Sequence, residues 1–253
     1  MNPPVIALIV FACVFGSALL GQYLRTVLPE HHLSADAKDV VKLATGLIAT
    51  ISALVLSLLI SSAKGSFDRV NSEIVQGAAA VLQLDRALAE YGPETAELRG
   101  QIKQHFVGVV DAIDTRDNAR LRGLESSEAM IRLERMQAAI RALPARSEFQ
   151  RGQQARALHM MNELFSARWH VMLNLGGSIS MPLLIVLVSW LVIIFTAFGL
   201  FAPRNPTVNA ALLLCALAAA CAILLILEMD RPLGGLITIS TAPLHDALAH
   251  LGR

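Results

Sequence analysis

Charge is scarce in this sequence. Only 16% of its 253 residues are Asp, Glu, Lys or Arg, 55% are hydrophobic, and mean hydropathy is +0.56. Soluble domains carry about a quarter charged residues, so part of the chain is solvated by something other than water. An excess of one sign is also lacking: the formal net charge is +1, which leaves no electrostatic footprint for a nucleic acid partner. Cysteine is limited to Cys13, Cys215 and Cys221, all inside apolar runs and without CxxC or zinc spacing. Neither a disulfide framework nor a metal centre is expected from them. GxSxG, HExxH and phosphate-cradling glycine loops are missing, so no enzyme activity and no cofactor are expected.

What is present is four long apolar runs. Residues 4–24, 43–63, 181–201 and 208–227 contain no Asp, Glu, Lys or Arg. A helix needs about 20 residues to cross about 30 Å of hydrocarbon, and each run meets that length. The pattern predicts an all-α membrane protein with four transmembrane helices. The first run has no positive charge ahead of it and exceeds a usual signal-peptide core, so it reads as an uncleaved anchor.

The runs divide the chain into a first transmembrane pair (1–63), a helical cytoplasmic domain (64–180), a second transmembrane pair (181–230) and a turn with a short amphipathic helix (231–253). Residues 64–170 hold 15 Lys+Arg and 14 Asp+Glu. Lys64, Arg69, Arg156, Arg168 and Arg231 flank the runs on one side, and Arg25, Lys38, Lys42 and Arg204 on the other. The positive-inside rule then places both termini and the long domain in the cytoplasm.

Helical stripes fill the long domain. Val70, Ile74, Val81, Leu84 and Leu88 continue the second run with no breaker except Gly65, so one helix from Leu43 to Glu90 is expected. Tyr91-Gly92-Pro93 ends it. Leu98, Ile102, Phe106, Val109 and Ile113 mark the next helix. Ser126 or Ser127 caps a third, with stripe Met130, Leu133, Met136, Ile140 and Leu143. Leu158, Met161, Phe165, Trp169 and Met172 mark the last soluble helix, and Gly176-Gly177 breaks it.

Gly46, Thr50, Ala53, Ser57 and Ser61 share one face of the second span and lead to Lys64. Two readings stay open. The face lines a pore, with hydroxyls replacing part of an ion's hydration and Lys64 ringing the mouth; or its small residues serve close helix packing. Glu228, Asp230 and Arg231 close the fourth span, where ionisable groups line a vestibule or gate, or anchor the helix end. His31-His32 with Asp36, and His159 with Glu163 one turn away, are the remaining ligand-like groupings. Solvated surface residues account for both more simply.

The end of the fourth run, ILLILEMDRPLGGLITISTAPLHDAL (residues 223–248), joins an apolar helix to an Asp230-Arg231-Pro232 step, a glycine-bearing turn with Gly234 and Gly235, and a short helix. With LIATISALVLSLLISSAKGSFDRVNSEIVQGAAAVLQL (47–84) and SISMPLL (178–184), it resembles the bestrophin-like domain family of bacterial membrane proteins. That resemblance implies a channel-like protein of a bacterial inner membrane. Bestrophins are oligomeric anion channels lined by their second helix, so it also implies a homo-oligomer, a pentamer by analogy, with inorganic ions and the lipid bilayer as partners. The second span departs from bestrophins in lacking aromatic residues; Leu54, Leu58, Leu59 and Ile60 are its candidates for a hydrophobic constriction. The alternative is a non-conducting signalling or scaffold protein that binds a partner through its cytoplasmic helical hairpins.

Overall fold

The structure, a computed structural model, describes residues 2–29, 35–115, 123, 126–175, 180–203 and 205–252; for 35–37, 174 and 175 the description covers the backbone alone. Among these residues the elements are all helical, and four helices are long and apolar enough to span a membrane. The chain divides into two compact units, residues 1–65 with 178–230 and residues 66–177 with 231–253.

The first unit holds α1 (Pro3–Val27), the apolar part of α2 (Ala35–Tyr91), α6 (Met181–Phe201) and α7 (Pro206–Met229). Proline stands in the first turn of α1, α6 and α7, where its missing N–H has no helical partner to lose. Asn205 caps α7 by accepting from the Thr207 N–H at 3.1 Å. Val10, Val14 and Ala18 of α1 meet Leu184, Ile194 and Phe195 of α6 and Leu212, Ala216 and Ile223 of α7. Large side chains elsewhere on these helices, such as Leu8, Ile185 and Leu214, point outward, as a lipid environment permits.

Where α1 and α6 cross, the backbones nearly touch. A Cβ on Gly21 would land on the Thr196 carbonyl oxygen, and one on Gly199 on the Ala18 carbonyl oxygen. Without a hydrophobic drive between helices in lipid, this approach supplies the van der Waals contact that holds them. Arg25 donates to the Ala202 carbonyl at the end of α6, and Gln22 Nε2 donates to Asn209 Oδ1 on α7 at 2.5 Å.

The second unit contains the rest of α2, α3 (Ala96–Asp114), α4 (Ser127–Ala142), α5 (Glu148–Leu175) and α8 (Ala242–His250). The α2 stripe read from the sequence is buried at every position, with Leu84 and Leu88 fully enclosed; such side chains contribute about 1.5–3 kcal/mol each. Gly92 turns the chain with φ 146°, a conformation open to glycine. Buried Thr95 locks the corner through a hydroxyl shared between the Leu88 and Gly92 carbonyls, 2.5 and 2.8 Å away. Ser126 is the cap of α4, accepting from the Ala129 N–H at 3.3 Å. Gln154 of α5 donates to the Ile140 and Leu143 carbonyls at the end of α4, the first of which also accepts the Leu143 N–H.

One stripe departs from expectation. On α5, Trp169 is half exposed, and the inward face runs through Ala157, Met161, Leu164, Arg168 and Val171. Hydrophobic periodicity passes over Arg168 and settles on its apolar neighbour Trp169, whereas Leu158, Met161 and Phe165 pack on the core and Met172 lines the cavity as expected. On α3, Val110 enters the core, whereas Val109 and Ile113 line a cavity.

Candidate functional site

The apolar part of α2 has two distinct faces. Thr45, Ser52, Leu59 and Ala63 are buried, with Ala49 and Leu56 half-buried between them. Their alternating spacing of four and three is the seam that packs on neighbouring helices. Gly46, Thr50, Ala53, Ser57, Ser61 and Lys64 are all exposed and lie off this seam. The small-polar stripe therefore lies outside the seam that packs within the first unit. A Cβ on Gly46 would meet nothing within 4 Å.

Two of the hydroxyls on this stripe are back-bonded to their own helix. Thr50 donates to the Gly46 carbonyl and Ser57 to the Ala53 carbonyl, each at 2.9 Å. In this rotamer they present oxygen lone pairs outward. Turning a hydroxyl toward an anion would exchange that bond for one to the ion.

Leucines flank the stripe. Leu54 and Leu58 are 67% and 63% exposed, and Ile60 is exposed as well. Leu59 is a correction: at 3% exposure it packs with Ala63, Leu187 and Ile226. It occupies the seam, where it cannot constrict anything outside the protomer.

Glu228 is buried in the last turn of α7, Asp230 is half-buried at the C-cap, and Arg231 is exposed at the start of the second unit. Gly234 and Gly235 donate back to the Arg231 carbonyl, which forms the turn. His159 and Glu163 are both exposed on α5, and no group of three or more metal-ligating side chains occurs among the described residues. His31, His32, Arg204, Gly176, Gly177 and the Asp36 side chain lie outside the described residues.

Sequence reasoning missed a buried ion pair. Asp85, 4% exposed, accepts from Arg99 Nε at 2.7 Å and Nη2 at 2.9 Å, and from the Gly252 N–H at 3.0 Å. Burial alone would raise its pKa; the Arg99 and Gly252 hydrogen bonds, with the Arg99 and Lys103 charges, hold it below the ordinary carboxylate value. Lys103 Nζ donates to the Leu251 carbonyl at 2.8 Å, fastening the same segment. The signal available was an acid beside Leu84 on a buried helix, with a base next to Leu98 one hairpin later. Two histidines add contacts in this unit: His245 Nε2 lies 2.7 Å from Asp114 Oδ2, and His170 Nδ1 lies 2.8 Å from Glu73 Oε1.

The Bestrophin-like domain family model matches residues 12–244. The chain belongs to this family. Its match takes in three of the apolar helices whole, the first from residue 12 onward, and the helical unit between the second and third. No curated protein and no solved structure matches the chain. Bestrophin-like membership and four spanning-length helices together fit a multi-pass, channel-like membrane protein.

Proposed function

We propose that this Bestrophin-like protein forms an ion-conducting pore, with anions as its cargo, from a ring of identical protomers arranged around the exposed stripe of α2. The observation that carries the reading is that the stripe faces away from the protomer's own seam. A single protomer has no second wall to place opposite it, so a conduit requires further copies, and closed symmetry is the usual outcome for homo-oligomers. Five copies follow from the family analogy alone.

In such a ring, Thr50, Ser57 and Ser61 face the path beside Gly46 and Ala53, and Lys64 contributes a positive charge at one mouth. Leu54 and Leu58 stand on the edge of the same face and supply the hydrophobic constriction. Asp230 and Arg231 belong to the vestibule or gate, while Glu228, buried in the last turn of α7, does not line it. The protein resides in a bacterial inner membrane with both termini and the helical unit in the cytoplasm, and it carries no enzymatic activity.

Purified protein in liposomes tests this. Chloride flux is expected, and Lys64→Glu is expected to reduce it on the order of tenfold by reversing the charge at the mouth. Absence of flux at every voltage, pH and membrane tension applied would reject conduction and leave a scaffold in which the stripe is a packing surface. The back-bonded hydroxyls, already satisfied without water, are the feature that favours that second reading.

A further inference from the structure

The helical unit of residues 66–177 and 231–253 contains a cavity of about 520 Å³. This volume falls in the range of about 300–1,000 Å³ typical of small-molecule sites. Its walls are mostly apolar, with Ile74, Val81, Leu84, Phe106, Met136 and Met161 contributed by four different helices.

The polar lining is small and unequal in sign. Arg168 and Arg231 contribute two guanidiniums, and Glu73 is the one carboxylate, with its Oε1 2.8 Å from His170 Nδ1. His105 also lines the cavity, and burial, reinforced by the Arg132 and Arg168 charges, lowers its pKa and keeps it neutral near pH 7. Arg168 occupies a position on α5 that simple core packing would give to an apolar residue, and such local departures from pattern mark functional sites.

We propose that this cavity binds a single-chain monocarboxylate amphiphile of the fatty-acid class, its alkyl chain between Val81, Phe106 and Met161 and its carboxylate at Arg168 and Arg231. A guanidinium matches a carboxylate in planar, bidentate geometry. The proposal stands independently of whether the protein conducts.

Gly77 provides the decisive variant. It lines the cavity, and a Cβ there meets nothing within 4 Å, so a large side chain enters the space without displacing backbone. Replacing a mid-helix glycine also favours the helix. Equilibrium dialysis of tritiated laurate against full-length protein in phosphatidylcholine nanodiscs, referenced to empty nanodiscs, reads occupancy. Saturable binding of one laurate per chain is expected, unchanged in Gly77→Ala and abolished in Gly77→Phe at an unaltered melting temperature. If the phenylalanine variant does not fold, Gly77→Leu serves the same purpose. Arg168→Gln is expected to weaken binding about tenfold, and unlabelled laurate should compete at concentrations where dodecanol does not.

No saturable binding, or binding indifferent to a folded Gly77 variant, overturns the site. Equal competition by dodecanol overturns the carboxylate assignment. Competition from phosphatidylglycerol built into the nanodiscs, as strong as that from laurate, replaces the free single-chain acid with a bilayer lipid and overturns the proposal as stated.

Discussion

Asp85 shows how one charged side chain organises its surroundings. With Arg99 it forms a bidentate pair sheltered from water, and it also receives the Gly252 N–H. Removing one partner leaves the other's charge buried, which costs far more than breaking a surface pair. Asp85→Asn is therefore expected to destabilise the helical unit by about 2–3 kcal/mol, read as a lowered melting temperature of the full chain in detergent. The sign of the pH dependence follows from the depressed pKa. Above the ordinary carboxylate value of 3.8 both folded and unfolded forms are ionised and the stabilisation is complete. Below it the unfolded chain takes up the proton first, so stability falls as pH drops toward the lower folded-state value. Asp85→Asn should flatten that acid loss, and an unchanged acid profile would count against the pair's role.

Legibility from sequence differed between residues for physical reasons. The α2 stripe from Val70 to Leu88 could be read because each position is apolar and each is buried. Asp85, on the same helix, could not, since a carboxylate enters a core only with a partner and that partner lies across a hairpin. Arg168 escaped in the same way, and Trp169 took its place in the pattern. Leu59 shows the opposite failure: composition cannot tell which of four adjacent apolar residues faces the seam.

Among the helices, packing of small residues sets what the first unit tolerates. Gly21 and Gly199 sit where the α1 and α6 backbones approach within a side chain's thickness. Either one changed to Leu forces the pair apart, with an expected cost of about 1–3 kcal/mol from overpacking and premature unfolding in a detergent titration. Gly46→Ala should not lower monomer stability, because the added Cβ meets only open space and a mid-helix alanine favours the helix. Equal damage from Gly46→Ala and Gly199→Leu would contradict the two-face description of α2. The four spanning helices were evident from their uncharged runs, and the Ser126 cap and the Gly92-Pro93 corner from local chemistry. The close crossing of α1 and α6 was hidden, since it depends on carbonyl positions that no periodicity encodes.

For the whole molecule, the claim is that α2 presents its stripe to a path shared by several protomers. Family membership fits a channel-like protein, and in the proposed ring the exposed hydroxyls, the flanking leucines and Lys64 would form a wall, a constriction and a charged mouth. The most direct measurement is thiol blocking of flux. With Cys13, Cys215 and Cys221 replaced by alanine, Ser57→Cys is introduced and the protein reconstituted in chloride-loaded liposomes. The account predicts that a membrane-impermeant charged thiol reagent reacts at position 57 and stops chloride efflux, while the cysteine-free parent is unaffected. Complete modification of Cys at that position with undiminished efflux would contradict it.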